Sequence, residues 1–490
     1  MKKYFSLIFF CFLSCALFPQ SFEDALRYSQ SITFGTARSL SMSGAFGSLG
    51  ADMSCGSINP AGLALFNSYN ASVSLLYGDS DSESEYFGTK HQSDIKYLSI
   101  PNMGMIWSMP STSTDIKRWN VGFTYNELNN FKFNDHINGF NTQSSLINVF
   151  HDYATGFAIN DLNPFYESLA FWTDLIDLSD NTIDTNNNWY MYDNGNYVSR
   201  LNSPGSNQTL YRESSGNLGE FVFSLSNSYL DRVYFGLGLG LLILEYQQVD
   251  SYHENNFLDS LSSLNDFSFN NKLETSGSGV NLKIGSILRL TDNLRLGVSY
   301  HSKTYYELED IWESNITANF DNASYNDYSP LGYYNYKLRT PSKLIASASF
   351  VNKKMILSFD IESMNYSNSS LHDDYDSFLY ENDSISTYLT NAINTKFGVE
   401  FNIKGFKIRG GFANYGNPYK YNESHNNSNY SVGIGFNSQL KYIDIAYVNR
   451  FKSSIVYPYN NNYTNPADLT RNTQDIILTI GWRMPNRKIY

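Results

Sequence analysis

Alternation of apolar and polar residues with a period of two recurs along most of this chain. In DIILTIGWR, Ile476, Leu478, Ile480 and Trp482 share one face, while Ile477, Thr479, Gly481 and Arg483 share the other. WNVGFTYN repeats the format, with Trp119, Val121, Phe123 and Tyr125 set against Asn120, Gly122, Thr124 and Asn126. Successive side chains of a strand point to opposite faces, so one face suits lipid and the other a polar interior. About fourteen such segments occur, near 70–78, 93–108, 117–127, 217–226, 232–247, 273–290, 294–308, 336–350, 355–366, 390–403, 406–414, 429–438, 440–452 and 474–483. Short turns join several of them, among them Thr291-Asp292-Asn293, Val351-Asn352-Lys353-Lys354 and Lys404-Gly405. Long polar stretches separate others, at roughly 127–216, 248–272, 309–335, 367–389, 415–428 and 453–473. Short turns on one side and long loops on the other are the asymmetry of an outer-membrane barrel, and an even strand count closes the sheet without free edges. The pattern therefore predicts an all-β fold, a 14-stranded antiparallel transmembrane β-barrel with long extracellular loops.

The first residues follow a different rule. In MKKYFSLIFFCFLSCALFPQ, Lys2 and Lys3 precede an apolar run to about Phe12, the form of a secretory signal peptide over 1–20. Cleavage fits after Ala16 or near Gln20, and Phe12-Leu13-Ser14-Cys15 loosely matches a lipoprotein box, which leaves lipidation of Cys15 as an alternative. Removal of Cys11 and Cys15 leaves Cys55 alone, which excludes an intrachain disulfide and a multi-cysteine zinc site.

Composition narrows the class further. Of 490 residues, 16% are aromatic and only 17% charged, against roughly 25% in ordinary soluble domains. A net charge of −13 argues against nucleic acid as a partner. Past the N-terminus no apolar run approaches the roughly 20 residues of a membrane helix. The seven histidines (91, 136, 151, 253, 301, 372 and 425) are scattered, and no HExxH, GxSxG or phosphate-cradling loop stands in its required context. Neither an enzyme nor a cofactor or metal site is expected. The acidic run Asp79 to Glu85 reads as a solvated loop, with divalent-ion bridging to lipopolysaccharide as its alternative.

Two further features carry candidate chemistry. Asn160 to Ile176, NDLNPFYESLAFWTDLI, has helix-start signals in Asp161, Asn163 and Pro164. Phe165, Leu169, Trp172 and Ile176 then recur as one apolar stripe, which predicts a helix that either packs on the barrel rim or forms a landing site for a hydrophobic ligand. Pro101, Gly104 and Gly122 are candidates for a strand kink, because Pro and Gly weaken a ladder.

Between the signal peptide and the first strand lies GTARSLSMSGAFGSLGADMSCGSINPAGLALF, residues 35–66. It carries Gly35, Ala37, Arg38, Leu40, Met42, Gly44, Ala45 and Phe46, then Asn59, Pro60, Ala61, Gly62, Leu63 and Ala64. This stretch resembles the N-terminal segment of the FadL/TodX family of outer-membrane transporters for long-chain fatty acids and other hydrophobic compounds. YLSIPNMGMIW, RWNVGFTYNELNNF, DLNPFYESLAFWTDLID, TDNLRLGVSYHSKTYYEL and FANYGNPY extend the resemblance, in the form of the branch common in Bacteroidota, over nearly the full length. The resemblance implies a barrel over 69–490 plugged by an N-terminal hatch over 21–68, hydrophobic cargo, and lateral release through a kinked strand. Arg38 is then a candidate partner for a carboxylate headgroup; bonding to hatch carbonyls or barrel carboxylates is its other reading. The partners so implied are a fatty acid or aromatic ligand, outer-membrane lipids and lipopolysaccharide, and the barrel-assembly machinery, with the chain a monomer. A general porin and a surface adhesin or haem-binding receptor are the competing readings. One departure is the C-terminus, where Met484 to Ile489 intervene before the terminal aromatic Tyr490.

Overall fold

The computed structural model describes residues 21–32, 34–179, 195–260, 262–374, 377–421 and 426–484. The signal segment, His425 and the tail beyond Met484 lie outside the described residues.

Fourteen antiparallel wall strands close into a cylinder. They are β1 (Tyr69–Tyr86), β2 (Thr89–Pro110), β3 (Ile116–Asn130), β4 (Ser206–Tyr229), β5 (Val233–Asn255) and β6 (Leu264–Arg289). β7 runs as two pieces, Leu294–His301 and Tyr305–Phe320, and β8 as Gly332–Arg339 and Lys343–Val351. β9 comprises Met355–Asn365 and Ser370–His372, followed by β10 (Asn391–Ile403), β11 (Phe406–Tyr415), β12 (Asn426–Asn437), β13 (Lys441–Val456) and β14 (Ala467–Met484). β14 returns to β1 in register from Tyr69↔Met484 to Glu85↔Asp468, so the sheet closes. Each of the fourteen segments expected from the alternation is one of these strands.

The alternation sorts side chains as a bilayer demands. Along β5, Phe235, Leu237, Leu239, Leu241 and Ile243 are exposed on the outer face, while Gly236, Gly238 and Gly240 turn inward. Exposed apolar side chains in a continuous belt around a closed barrel have only lipid to meet, so this is a bilayer-spanning barrel of the outer-membrane type. Turns at 111–115, 230–232, 290–293, 352–354, 404–405 and 438–440 mark one rim, and the long loops mark the other.

Those loops are more ordered than their polar composition suggests. After a break at Phe131-Lys132 the line of β3 resumes as Phe133–Asn141, paired with Ser206–Ser214 of β4. Helix Leu146–Ala154, which the apolar pattern did not flag, packs into a crown core with Tyr86, Leu169, Ile176 and Phe267. Its N-terminus is fixed by Glu254, whose carboxylate accepts from Leu146 N (2.7 Å) and Ser145 Oγ (2.7 Å). Burial holds that carboxyl above the usual range.

The helix expected over 160–176 is a correction. Only Glu167–Trp172 is α-helical, preceded by a 3-10 turn at Ile159–Asp161. Asn163 and Glu167 spend their side chains on Phe165 N and Asn163 N, and Asp174 at φ +63° ends the helix. Ile176 already belongs to a short strand paired with Ser199, so the four apolar residues never form one stripe.

Candidate functional site: a stoppered bore and a gap in its wall

The segment 34–66 lies within the cylinder, bonded to inward-facing residues all around it. Ala37 N–H donates to Thr479 Oγ1 of β14 (2.7 Å), Gly47 N–H to Asp360 of β9 (2.8 Å), and Ser43 N–H to Ser431 Oγ of β12 (3.1 Å). Asn120 of β3 donates to Leu63 O (2.6 Å), and His301 Nε2 of β7 donates to Ile58 O (3.0 Å).

Local chemistry shapes this enclosed segment. Thr36 caps the helical turn Ala37–Leu40 and also bonds Asp52 (2.9 Å). Gly44 turns the chain back at φ +74°, a region that glycine enters without steric penalty. Pro60 holds Asn59 extended (φ −147°, ψ 104°) and opens a 3-10 helix, Pro60–Leu65, so NPAGLAL is helical rather than a plain turn. The Asn59 side chain accepts from Ala61 N (3.1 Å) and donates to Gly47 O (2.6 Å). The wall makes room for this knot. A Cβ at Gly285 would collide with Asn59 Oδ1, and one at Gly236 with the Pro60-Ala61 backbone. Within the plug, a Cβ at Gly35 would strike Ser54, and one at Gly62 would strike Cys55 and Gly50.

Arg38 sits at the junction of plug and wall. Its Nη1 donates to Ala51 O (2.9 Å), its Nε lies 3.6 Å from Glu400, and its guanidinium stands over the Phe46 ring. Glu400 also takes Arg409 (2.7 Å) and Lys407 (3.3 Å), and Arg409 reaches Asp444 (2.7 Å). Arg38 is therefore engaged by a hatch carbonyl and a barrel carboxylate.

Toward the long loops, helix Phe22–Ser29 occupies the bore within an apolar cluster that also encloses Asp24, Thr275 and Asp310. Ser21 and Asp24 form a capping box at its start. Tyr28 donates to Thr275 Oγ1 (2.9 Å) and meets Phe131 and Tyr246 edge-on. Leu218, Leu242, Tyr306, Tyr336 and Met364 complete the chamber wall. Between chamber and plug lies a small polar cavity of about 60 Å³, bordered by Ser31, Ser57, Glu220, Lys283, His301 and Lys343. Lys283 is bonded to Glu220, and Lys343 Nζ donates to Ser31 Oγ (2.6 Å).

The wall is incomplete in one place. β2 and β3 pair only from Asn102↔Asn126 to Pro110↔Arg118. From Pro101 to Thr89, β2 keeps β1 as its single ladder partner, and the β1–β2 register slips between Ser74 and Leu76, opposite Asn102 and Ser99. Pro101 thus lies at the bulge where the β2–β3 ladder ends, whereas Gly104 (opposite Thr124) and Gly122 (opposite Ile106) stay within it. The resulting gap is filled from inside. Ile32 N–H donates to Leu128 O (2.9 Å), Asn129 reaches Gln30 O (3.4 Å), and Ile32 and Phe34 pack with Leu76 and Tyr97.

The loop residues singled out by sequence do not converge. Phe165 rests near Trp312 (5.5 Å between centroids), Leu169 and Ile176 are buried in the crown core, and Trp172 is exposed. Sequence reasoning passed over the interruptions at Ser302–Thr304 and Thr340–Ser342, which face each other across β7 and β8. Pro341 was the only signal for them.

No known family profile matches the chain, and no curated protein matches it. Solved structures do. A FadL homologue from Pseudomonas aeruginosa superposes with a TM-score of 0.56 at 12% identity, covering 93% of this chain and 99% of that one. The Pseudomonas putida toluene transporter TodX gives 0.51 at 12%, covering 92% and 99%. The monoaromatic hydrocarbon channel CymD gives 0.50 at 11%, covering 93% and 98%.

The chain has the FadL-type fold. At 11–12% identity the likeness is one of architecture.

Proposed function

We propose that this barrel carries hydrophobic small molecules, long-chain fatty acids or aromatic compounds, across the outer membrane and releases them sideways between β2 and β3. Residues 21–68 act as the hatch. The observation that carries this reading is the stretch of β2 beyond Asn102 that has no ladder with β3, where Gln30, Ile32 and Phe34 fill the space beside Leu76, Tyr97, Leu128 and Asn129. Each CH₂ moved from an apolar site into water costs about 0.8 kcal/mol, so a chain of roughly fifteen faces on the order of 10 kcal/mol in a wet pore. A greasy chamber with an exit into the bilayer avoids that barrier. A general porin fits poorly, since the bore is filled by helix Phe22–Ser29 and the 34–66 knot. The same reading takes the chain as a monomer, inserted by the barrel-assembly machinery and surrounded by outer-membrane lipid.

The test is a reversible lock. With Cys55 replaced by Ala, the pair Ile32→Cys and Leu128→Cys joins two residues already in backbone contact. Uptake of radiolabelled oleate or toluene is expected to stop upon oxidation and to return upon reduction. Unchanged uptake in the oxidised form would refute lateral gating by the hatch; absence of uptake in the reduced form would refute hydrophobic transport.

A further inference from the structure

On the outside of the barrel a groove of about 890 Å³ crosses the wall from Phe123 of β3 to His372 of β9. Its trough is Ser278-Gly279 of β6, which offers almost no side-chain bulk. One bank is apolar, with Phe221, Phe223, Leu241 and Ile243; the other carries Tyr305, Glu307, Lys337, Arg339 and His372.

The outward apolar run of each strand fixes the height of this groove in the membrane. Leu241 pairs with Val280, Val280 with Tyr305, and Tyr305 with Arg339, so the four are neighbours along one ladder line. Below Val280 the outward residues of β6 are Leu282, Ile284, Ser286 and Leu288, the three leucine and isoleucine side chains exposed; above it come Ser278 and Ser276. From Leu290 up to Val280, ten steps of ~3.3 Å on a strand tilted ~40° make ~25 Å, the height of a barrel's apolar band. On β7 the outward run Leu294, Leu296, Val298 and Tyr300 leads up to Tyr305, and on β8 Phe350 and Leu344 lead up to Arg339, so both stand where hydrocarbon gives way to the outer-leaflet headgroups.

The charges on that bank are unequally matched. Lys337 lies opposite Glu307 in register and pairs with Asp374 at 3.4 Å. Arg339 has no carboxylate within 4 Å among the described residues; its Nε donates to Ser370 Oγ (3.1 Å), which also meets His372 Nε2 (2.8 Å). A guanidinium left with free N–H groups at headgroup height is a fork for a phosphate, which it grips with two parallel hydrogen bonds. Acyl chains have the apolar bank and the trough below.

We infer that this groove is a binding site for a phosphorylated glycolipid of the outer leaflet, lipid A, held by its phosphate on Arg339 with its acyl chains against Phe221, Leu241 and Val280. The groove opens on the lipid side of the wall, with the chamber residues Leu242 and Tyr306 at its floor, and lipid binding there does not depend on transport.

The experiment uses the full mature chain extracted in detergent, titrated with diphosphoryl lipid A, enzymatically dephosphorylated lipid A, phosphatidylethanolamine or oleate, and read by native mass spectrometry. Diphosphoryl lipid A is expected to be retained at least tenfold better than its dephosphorylated form. Arg339→Gln should abolish that preference, and Lys96→Gln, an exposed cation on β2 outside the groove, should leave it intact. Equal retention of the dephosphorylated lipid by the unaltered protein, an undiminished preference in R339Q, or displacement of lipid A by oleate at equal concentration would overturn the assignment.

Discussion

Lys343, on the inner wall of β8, donates to the hydroxyl of Ser31 at 2.6 Å, and Ser31 lies between the two hatch residues that are hydrogen-bonded to the free edge of β3. A buried ammonium with a serine as its acceptor fastens the stopper of the wall gap from the opposite side of the bore. A hydrogen bond to a charged group is worth about 1.5–3 kcal/mol. Ser31→Ala is therefore expected to speed amide exchange at residues 30–32 by roughly one to two orders of magnitude while the wall strands keep their protection. Hydrogen-exchange mass spectrometry checks this, and equal protection at 30–32 in both proteins would show that the contact fastens nothing.

The knot at Asn59-Pro60 depends on missing side chains in the wall. Gly285→Val drives a branched side chain into Asn59 Oδ1, and overpacking of this kind costs about 1–3 kcal/mol. Since the outward face of β6 is unaltered, the barrel should still insert, with its plug displaced. Planar-bilayer recordings should then show ion conductance absent from the unaltered protein. Gly410→Ala, where an added Cβ meets only ordinary contacts, serves as the control and should stay closed.

Glu400 holds three cations at once, Arg38, Arg409 and Lys407. Removing one member of a buried ion network strands its partners, at about 3–5 kcal/mol. Glu400→Gln should lower the urea midpoint of unfolding sharply. Asp292→Asn, which removes the exposed pair with Arg289, should shift it by less than about 1 kcal/mol.

At the extracellular end, the rings of His91 and His136 lie 4.4 Å apart, and His136 stacks on Tyr211 at 4.3 Å. Burial, and then the neighbouring His91, hold His136 below the usual 6.5. A histidine with a depressed folded value binds its proton more readily when unfolded. Its stabilising contribution is present above about pH 6.5 and is lost as pH falls through the folded value. Amide protection over 84–93 and 133–141 should therefore drop between pH 7.5 and pH 5, and His136→Phe should remove that dependence. An equal drop in the variant would assign the effect to other groups.

The sequence was most legible where one physical rule acted alone. Lipid outside and polar groups inside impose a strict alternation, so DIILTIGWR and WNVGFTYN mark β14 and β3 without ambiguity. It was least legible where inward polar residues find partners far along the chain. Ser31 and Lys343 are 312 positions apart, and nothing local distinguishes Lys343 from a solvated lysine. The 160–176 stretch misled because its apolar spacing fits a helix, while the side chains of Asn163 and Glu167 bond the backbone locally and shorten it. Pro101 pointed to the right strand, but the gap itself comes from a ladder that ends, which side-chain periodicity does not encode.

The seam between β1 and β14 joins the wall to what the wall encloses. β14 closes the cylinder in register with β1, and through Thr479 it also holds the backbone of Ala37. A substitution that loosens this one strand therefore loosens the contents of the bore together with its enclosure.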